Sequence, residues 1–174
     1  PAAPFIHGAA QWAALIGLYT GGKVVVSPGR SFDARRVAEL IGAEQVNTIT
    51  LVGDAMARPL VEALREGAGK YDTSSLFVIS SAGAVLSDSV KADLGEVLPN
   101  TMIINAFGAS ETGHQGTVMP GMDAAQAGKP TFYMDESNTV LDEAGKPVAP
   151  GSGVVGRLAR RGRLPIGYYK DEAK

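Results

Sequence analysis

A mainly parallel α/β sheet with flanking helices, followed by a smaller β-rich region, is predicted by three features of this sequence. Short apolar runs lack clean polar alternation, helical patterns separate them, and after Gly113 the text changes to glycine- and proline-punctuated strand candidates. The runs Lys23–Val26, Thr48–Val52, Leu76–Ile79 and Met102–Ile104 are β-branched or aromatic-rich and read as strands buried on both faces. A first helix covers Ala9 to Tyr19 and ends at Gly21-Gly22. Asp33 can cap a second, whose Val37, Leu40 and Ile41 share a face and which Gly42 can end. A third runs from about Asp54, with Pro59 tolerable only near its first turn, through Leu60, Val61 and Leu64 to Gly67. The fourth starts at Ser87, places Val90, Leu94 and Val97 at helical spacing, and stops before Pro99. Later strand candidates are Phe132–Met134, Thr139–Leu141 and Val154–Leu158, with a turn at Asp142–Gly145. The organisation expected is an α/β subdomain over 1–113 and a β-rich segment over 114–174.

With 45% hydrophobic and 20% charged residues, the 174-residue chain can build a core and is neither disordered nor fibrous. A net charge of -2 offers no broad attraction for nucleic acid or anionic lipid, so phosphate chemistry has to come from local groups. The absence of cysteine excludes disulfides, thiolate catalysis and cysteine-bound zinc, and suits a cytoplasmic setting. No apolar run approaches the roughly 18 residues of a spanning helix. The start at Pro1 and the end within Asp171–Lys174 predict a piece of a longer protein.

The chemistry gathers where strands three and four end. Open α/β sheets bind ligands at the carboxyl ends of their strands. Ser80-Ser81-Ala82-Gly83-Ala84 follows the third run, and Asn105-Ala106-Phe107-Gly108-Ala109-Ser110-Glu111-Thr112-Gly113 follows the fourth. In the second stretch a ring can stack on a base, glycine admits phosphate to the backbone, serine can bond an oxygen, and glutamate can hold magnesium. Taken singly, Phe107 reads as a core aromatic, Ser110 as a turn or cap residue and Glu111 as a surface acid. His7 alone reads as packed or solvated, and His114 lacks neighbours at metal spacing. Gly67–Lys70 reads as a helix stop and Gly128–Pro130 as a turn, since neither has phosphate-loop spacing. Arg157, Arg160, Arg161 and Arg163 read as solvated edge protection.

The Phe107–Glu111 spacing resembles the aromatic-Gly-x-Thr-Glu motif of adenylate-forming enzymes, the superfamily of acyl-CoA synthetases, luciferases and peptide-synthetase adenylation domains. The resemblance extends from Pro4-Phe5-Ile6-His7 through Asn47–Gly53 and Ser81–Ala84 to Gly145–Gly151, Gly156–Gly162 and Gly167-Tyr168-Tyr169. Here phenylalanine stands for the usual tyrosine, Ser110 for threonine, and Val85 for a common proline. The resemblance implies that Ser81, Ala82, Gly83 and Ala84, with Asn105, Ala106, Phe107, Gly108, Ala109 and Ser110, line an ATP or AMP pocket. It further implies that Glu111 binds Mg2+, and that His7, Trp12, Gly83 and Gly108 border the acyl channel. It assigns no catalytic residue to this stretch: the phosphate loop would precede Pro1, and a ribose-gripping aspartate and the small domain with its catalytic lysine would follow Lys174. The activity implied is that of an acid-thiol ligase, an acyl-CoA synthetase acting on a fatty or sterol-derived acid with ATP and CoA. The piece alone is expected to be inactive, and a homodimer is compatible with it. The competing reading is a non-catalytic α/β module binding a nucleotide or small acid. A dinucleotide-dependent oxidoreductase is disfavoured, because no Gly-x-Gly-x-x-Gly joins a strand to a helix.

Overall fold

The computed structural model describes residues 1–29, 31–118 and 132–171. Strands β1 (Thr48–Leu51), β2 (Val78–Ser81) and β3 (Met102–Ala109) pair in parallel in that order, and β4 (Gly113–Val118) joins β3 antiparallel. Helices α1 (Gly8–Tyr19), α2 (Ala34–Ala43), α3 (Gly53–Glu66) and α4 (Asp88–Val97) accompany them. A separate antiparallel pair, β5 (Asn138–Leu141) with β6 (Arg157–Arg160), follows. Mostly parallel strands with flanking helices and a small β-rich addition are therefore present, as the sequence predicts.

One core serves the first sheet. Val37, Ala38 and Ile41 of α2, Leu60, Val61 and Leu64 of α3, and Val90 and Leu94 of α4 pack with Ile49, Leu51 and Ile79. The caps form where expected: Asp33 accepts from Arg36 N–H at 3.1 Å, and Ser87 Oγ accepts from Val90 N–H at 3.4 Å. Among the described residues, no helix is long and apolar enough to cross a membrane.

Four expectations change. The strands are not buried on both faces: in β1, Ile49 and Leu51 are buried while Thr48 is exposed and Thr50 half-buried, because α2, α3 and α4 share one core against a single face. That alternation is visible in Thr-Ile-Thr-Leu once the pleat is considered. Lys23–Val26 is not a strand. The Gly22 N–H closes a turn on Gly17 C=O at 2.8 Å, and Lys23 then pairs with Glu44 at 2.7 Å, so the segment follows α2 and joins no ladder. Pro59 lies well inside α3; it deprives the Ala55 carbonyl of its helical partner, and Ala55 is exposed, so water can replace the lost bond. Phe132–Met134 contributes only a single bridge, Tyr133 to Thr117, and β6 begins at Arg157 rather than Val154. The turn expected at Gly128–Pro130 lies outside the described residues.

Candidate functional site at the β3–β4 corner

The stretch expected to follow the fourth strand is itself mostly strand. β3 continues through Phe107 to Ala109, the chain reverses over residues 110–112, and β4 returns from Gly113. Register shifts between Phe107 and Gly108: Phe107 faces Gly116, but Gly108 faces His114, leaving Gln115 as the extra residue of a bulge. Two glycines make this close approach feasible. A β-carbon on Gly108 would collide with the Gly113 carbonyl, and one on Gly116 would strike the Phe107 ring. The ring therefore lies across Gly116, half-buried, with Phe132 edge-on at 4.6 Å between centroids and an interplanar angle of 70°.

Behind the corner, Gln115 is buried and bridges it to the second sheet. Thr112 Oγ1 donates to Gln115 Oε1 at 2.9 Å, and Gln115 Nε2 donates to Asn138 Oδ1 at 3.3 Å. Arg160 donates to the His114 carbonyl and stands 3.9 Å from Asp135. Arg160 thus departs from the expected solvated role because the His114 carbonyl on β4 and an acid beside β5 both reach it. Arg157, Arg161 and Arg163 stay exposed. Ser110 and Glu111 project from the turn and are exposed. Glu111 accepts a hydrogen bond from the Tyr168 phenol, which pushes the phenol's pKa up; desolvation adds to this.

The amino end of α1 meets the same corner. A β-carbon built on Gly8 would lie 3.4 Å from the Trp12 ring and 3.7 Å from Ser110 Oγ, so Gly8, Trp12 and Ser110 are neighbours. His7 occupies the cap position of α1, makes no side-chain cap bond and is exposed. On the other flank, Ser81 pairs in register with Asn105, and both side chains are buried. Gly83 and Ala84 are exposed, with Gly83 at φ 82°, and Ala82 is tied to Leu51 C=O at 3.2 Å. Ser81 Oγ accepts from the Gly53 N–H at 3.0 Å, so its hydroxyl serves the loop's anchorage.

A defined cavity lies elsewhere. It encloses about 320 Å3 between α1, the 20–27 segment, α2 and β1, with Ala13, Gly17, Val24, Ile41 and Thr48 among its walls, and holds none of the predicted site residues. The candidate site is an open corner at the sheet's rim. Sequence reading missed Thr112, Gln115 and Asn138 as its supports, since each acts through a partner that spacing does not reveal.

Such a corner can offer a ring face to a base, a hydroxyl to phosphate and one carboxylate to a hydrated cation. Comparison with known proteins gives it a family. The AMP-binding enzyme profile matches residues 1–169. The chain is 46% identical to a 3-oxocholest-4-en-26-oate–CoA ligase of Rhodococcus rhodochrous, over 100% of this chain and 32% of that protein. It is 45% identical to a medium/long-chain-fatty-acid–CoA/3-oxocholest-4-en-26-oate–CoA ligase of Mycobacterium marinum, over 100% of this chain and 31% of the relative. A solved long-chain-fatty-acid-CoA ligase from Archaeoglobus fulgidus shares the fold at a TM-score of 0.79 and 21% identity, covering 98% of this chain and 35% of its own. The chain spans about a third of the length of the curated relatives it matches. An aromatic-Gly-x-Ser-Glu corner at the rim of a mostly parallel sheet, matched along nearly the whole sequence, makes this chain a member of the AMP-binding enzyme family.

Proposed function

We propose that this chain is part of an ATP-dependent acyl-CoA ligase that activates a fatty or sterol-derived carboxylic acid. The carboxylate attacks the α-phosphorus of ATP, pyrophosphate leaves and acyl-AMP forms; the CoA thiol then displaces AMP to give the thioester. The β3–β4 corner is the observation that supports this reading: the half-buried Phe107 of β3 is followed within four residues by Ser110 and Glu111, both exposed in the turn. The CoA ligases among the relatives supply the reaction class.

In this reading the half-buried Phe107 ring stacks on adenine, and losing the phenol of the family's tyrosine costs a hydrogen bond but keeps the stacking face. Gly108 and the backbone of Asn105, Ala106 and Ala109 bring the main chain close to the nucleotide, while the Ala82–Ala84 loop closes the opposite side. Ser110 Oγ reaches phosphate. His7 and Trp12, at the start of α1 beside Ser110, border the path of the acyl group. Glu111 suits magnesium, an ion that keeps several waters and takes one or two carboxylates plus phosphate oxygens; among the described residues no cage of three or more such side chains exists. Bound there, magnesium would neutralise charge on the transferring phosphoryl group. To serve it, Glu111 would exchange its bond with the Tyr168 phenol. The reaction's substrates and the cysteine-free composition fit a cytoplasmic enzyme.

The test is acid-dependent pyrophosphate release from ATP by the full-length protein that carries this chain, with a medium- or long-chain fatty acid and a sterol-derived acid. Glu111→Ala is expected to lower the rate on the order of 100-fold. Absence of acid-dependent release from the unaltered protein would overturn the reading.

A further inference from the structure

We propose that Asp54 is a positioning residue that sets the Ala82–Leu86 loop for nucleotide binding, a role that rests on the ligase reading above. The chain leaves β1 and enters α3 through Gly53, whose φ of 52° lies in the left-handed region. A β-carbon there would sit 2.5 Å from Val85 C=O and 2.8 Å from Ala84 Cβ, so the loop after β2 crosses this point in contact with the backbone. Only glycine admits both the dihedral and the crossing.

Hydrogen bonds then fasten the crossing along its length. The Ala82 N–H donates to Leu51 C=O at 3.2 Å, and the Gly53 N–H donates to the buried Ser81 Oγ at 3.0 Å. The Asp54 N–H donates to Val85 C=O at 2.9 Å. The Asp54 carboxylate spans the far end: Oδ1 accepts from the Ser87 N–H at 2.8 Å and Oδ2 from Ser87 Oγ at 2.8 Å. An acid in a helix's first turn ordinarily faces solvent and favours the helix dipole. Here both oxygens are directed at a neighbouring loop, and Arg58 at 3.0 Å adds only an ion pair within the helix. Ser81 and Ser87 are thereby fixed while Gly83, Ala84 and Val85 between them remain exposed. A loop held at both ends presents its backbone in one arrangement, so a ligand need not order it on binding.

Steady-state kinetics of acid-dependent pyrophosphate release by the full-length protein test this, each variant being assayed well below its own melting temperature. Asp54→Ala is expected to raise KM for ATP about tenfold, with kcat and KM for the carboxylic acid changed less than about threefold. Asp54→Asn retains an acceptor for the Ser87 N–H and offers a donor to Ser87 Oγ, so it should restore KM for ATP to within about threefold of the unaltered protein. Arg58→Ala should leave all three constants unchanged. Amide exchange in Asp54→Ala should speed up across residues 82–87 and not in β1 or β2. An ATP KM within twofold of normal in Asp54→Ala, or exchange raised throughout the core, would reduce Asp54 to a fold residue and overturn the proposal. Lack of acid-dependent release in the unaltered protein is a separate result: it removes the ligase reading itself, and this inference with it.

Discussion

The two ends of this molecule hold together by different physics. From residue 33 to Leu98, helices and parallel strands share an apolar core in which Ile41, Leu51, Leu60, Ile79 and Leu94 are almost wholly buried. Beyond Val118 no described apolar residue is buried, and Val155, Ile166 and Tyr169 are almost fully exposed. The later strands are fastened by polar bridges instead: Arg160 to β4 and Asp135, Gln115 to Asn138, and Tyr168 to Glu111. Burial scales with apolar area removed from water, whereas exposed polar bridges contribute little and depend on pH and salt. The candidate site sits at the join. One of its members, Phe107, is carried by the rigid sheet, and another, Glu111, is held by the loosely buried side.

This contrast can be broken in three ways. The largest effect is expected in the core, where Leu60→Ala should cost about 2–5 kcal/mol in denaturant unfolding, while Ile166→Ala stays within about 0.5 kcal/mol. Comparable losses at both positions would mean that the later strands share the core after all. Next, Arg160→Ala should accelerate amide exchange in β5 and β6 on the order of tenfold and leave β1, β2 and β3 protected. Uniform acceleration would make the two regions one cooperative unit. The smallest effect comes from acid. Asp54 is held below its ordinary value of 3.8, first by the Ser87 N–H, and Asp135 below the same value, first by the Ser87-like contact of the Ser137 hydroxyl. Both contributions are complete above pH 3.8 and disappear as pH falls through the lower folded values. Asp135→Asn should therefore flatten the acid dependence of exchange in β5 and β6 alone; an unchanged profile would remove Asp135 from the junction.

What the sequence discloses follows from distance along the chain. Helix starts at Asp33 and Ser87 were legible because a cap bonds a backbone group three residues on. Gly42 illustrates the limit. It reads as a helix stop, yet α2 continues to Ala43, and a β-carbon at Gly42 would meet the Asp72 carbonyl at 2.8 Å. Its purpose is an approach thirty residues away in sequence, and Gln45 takes the left-handed dihedral instead. The Phe107–Glu111 cluster was legible as a motif, but its strand conformation was not, since that depends on pairing with β4. Asp54 and Ser87 are 33 residues apart, and no local pattern joins them.

The unpaired Gln115 fixes the length of the β3–β4 hairpin. Removing it would leave Phe107 facing Gly116 and Gly108 facing His114, but would strip out the buried amide through which Thr112 reaches Asn138 and the second sheet. The Asp142–Lys146 turn, closed by its own Asp142 bonds and exposed over most of its length, carries no such constraint. Length variation among relatives should therefore gather in that outer turn and spare the inner hairpin, a pattern that sequence alignment alone can check.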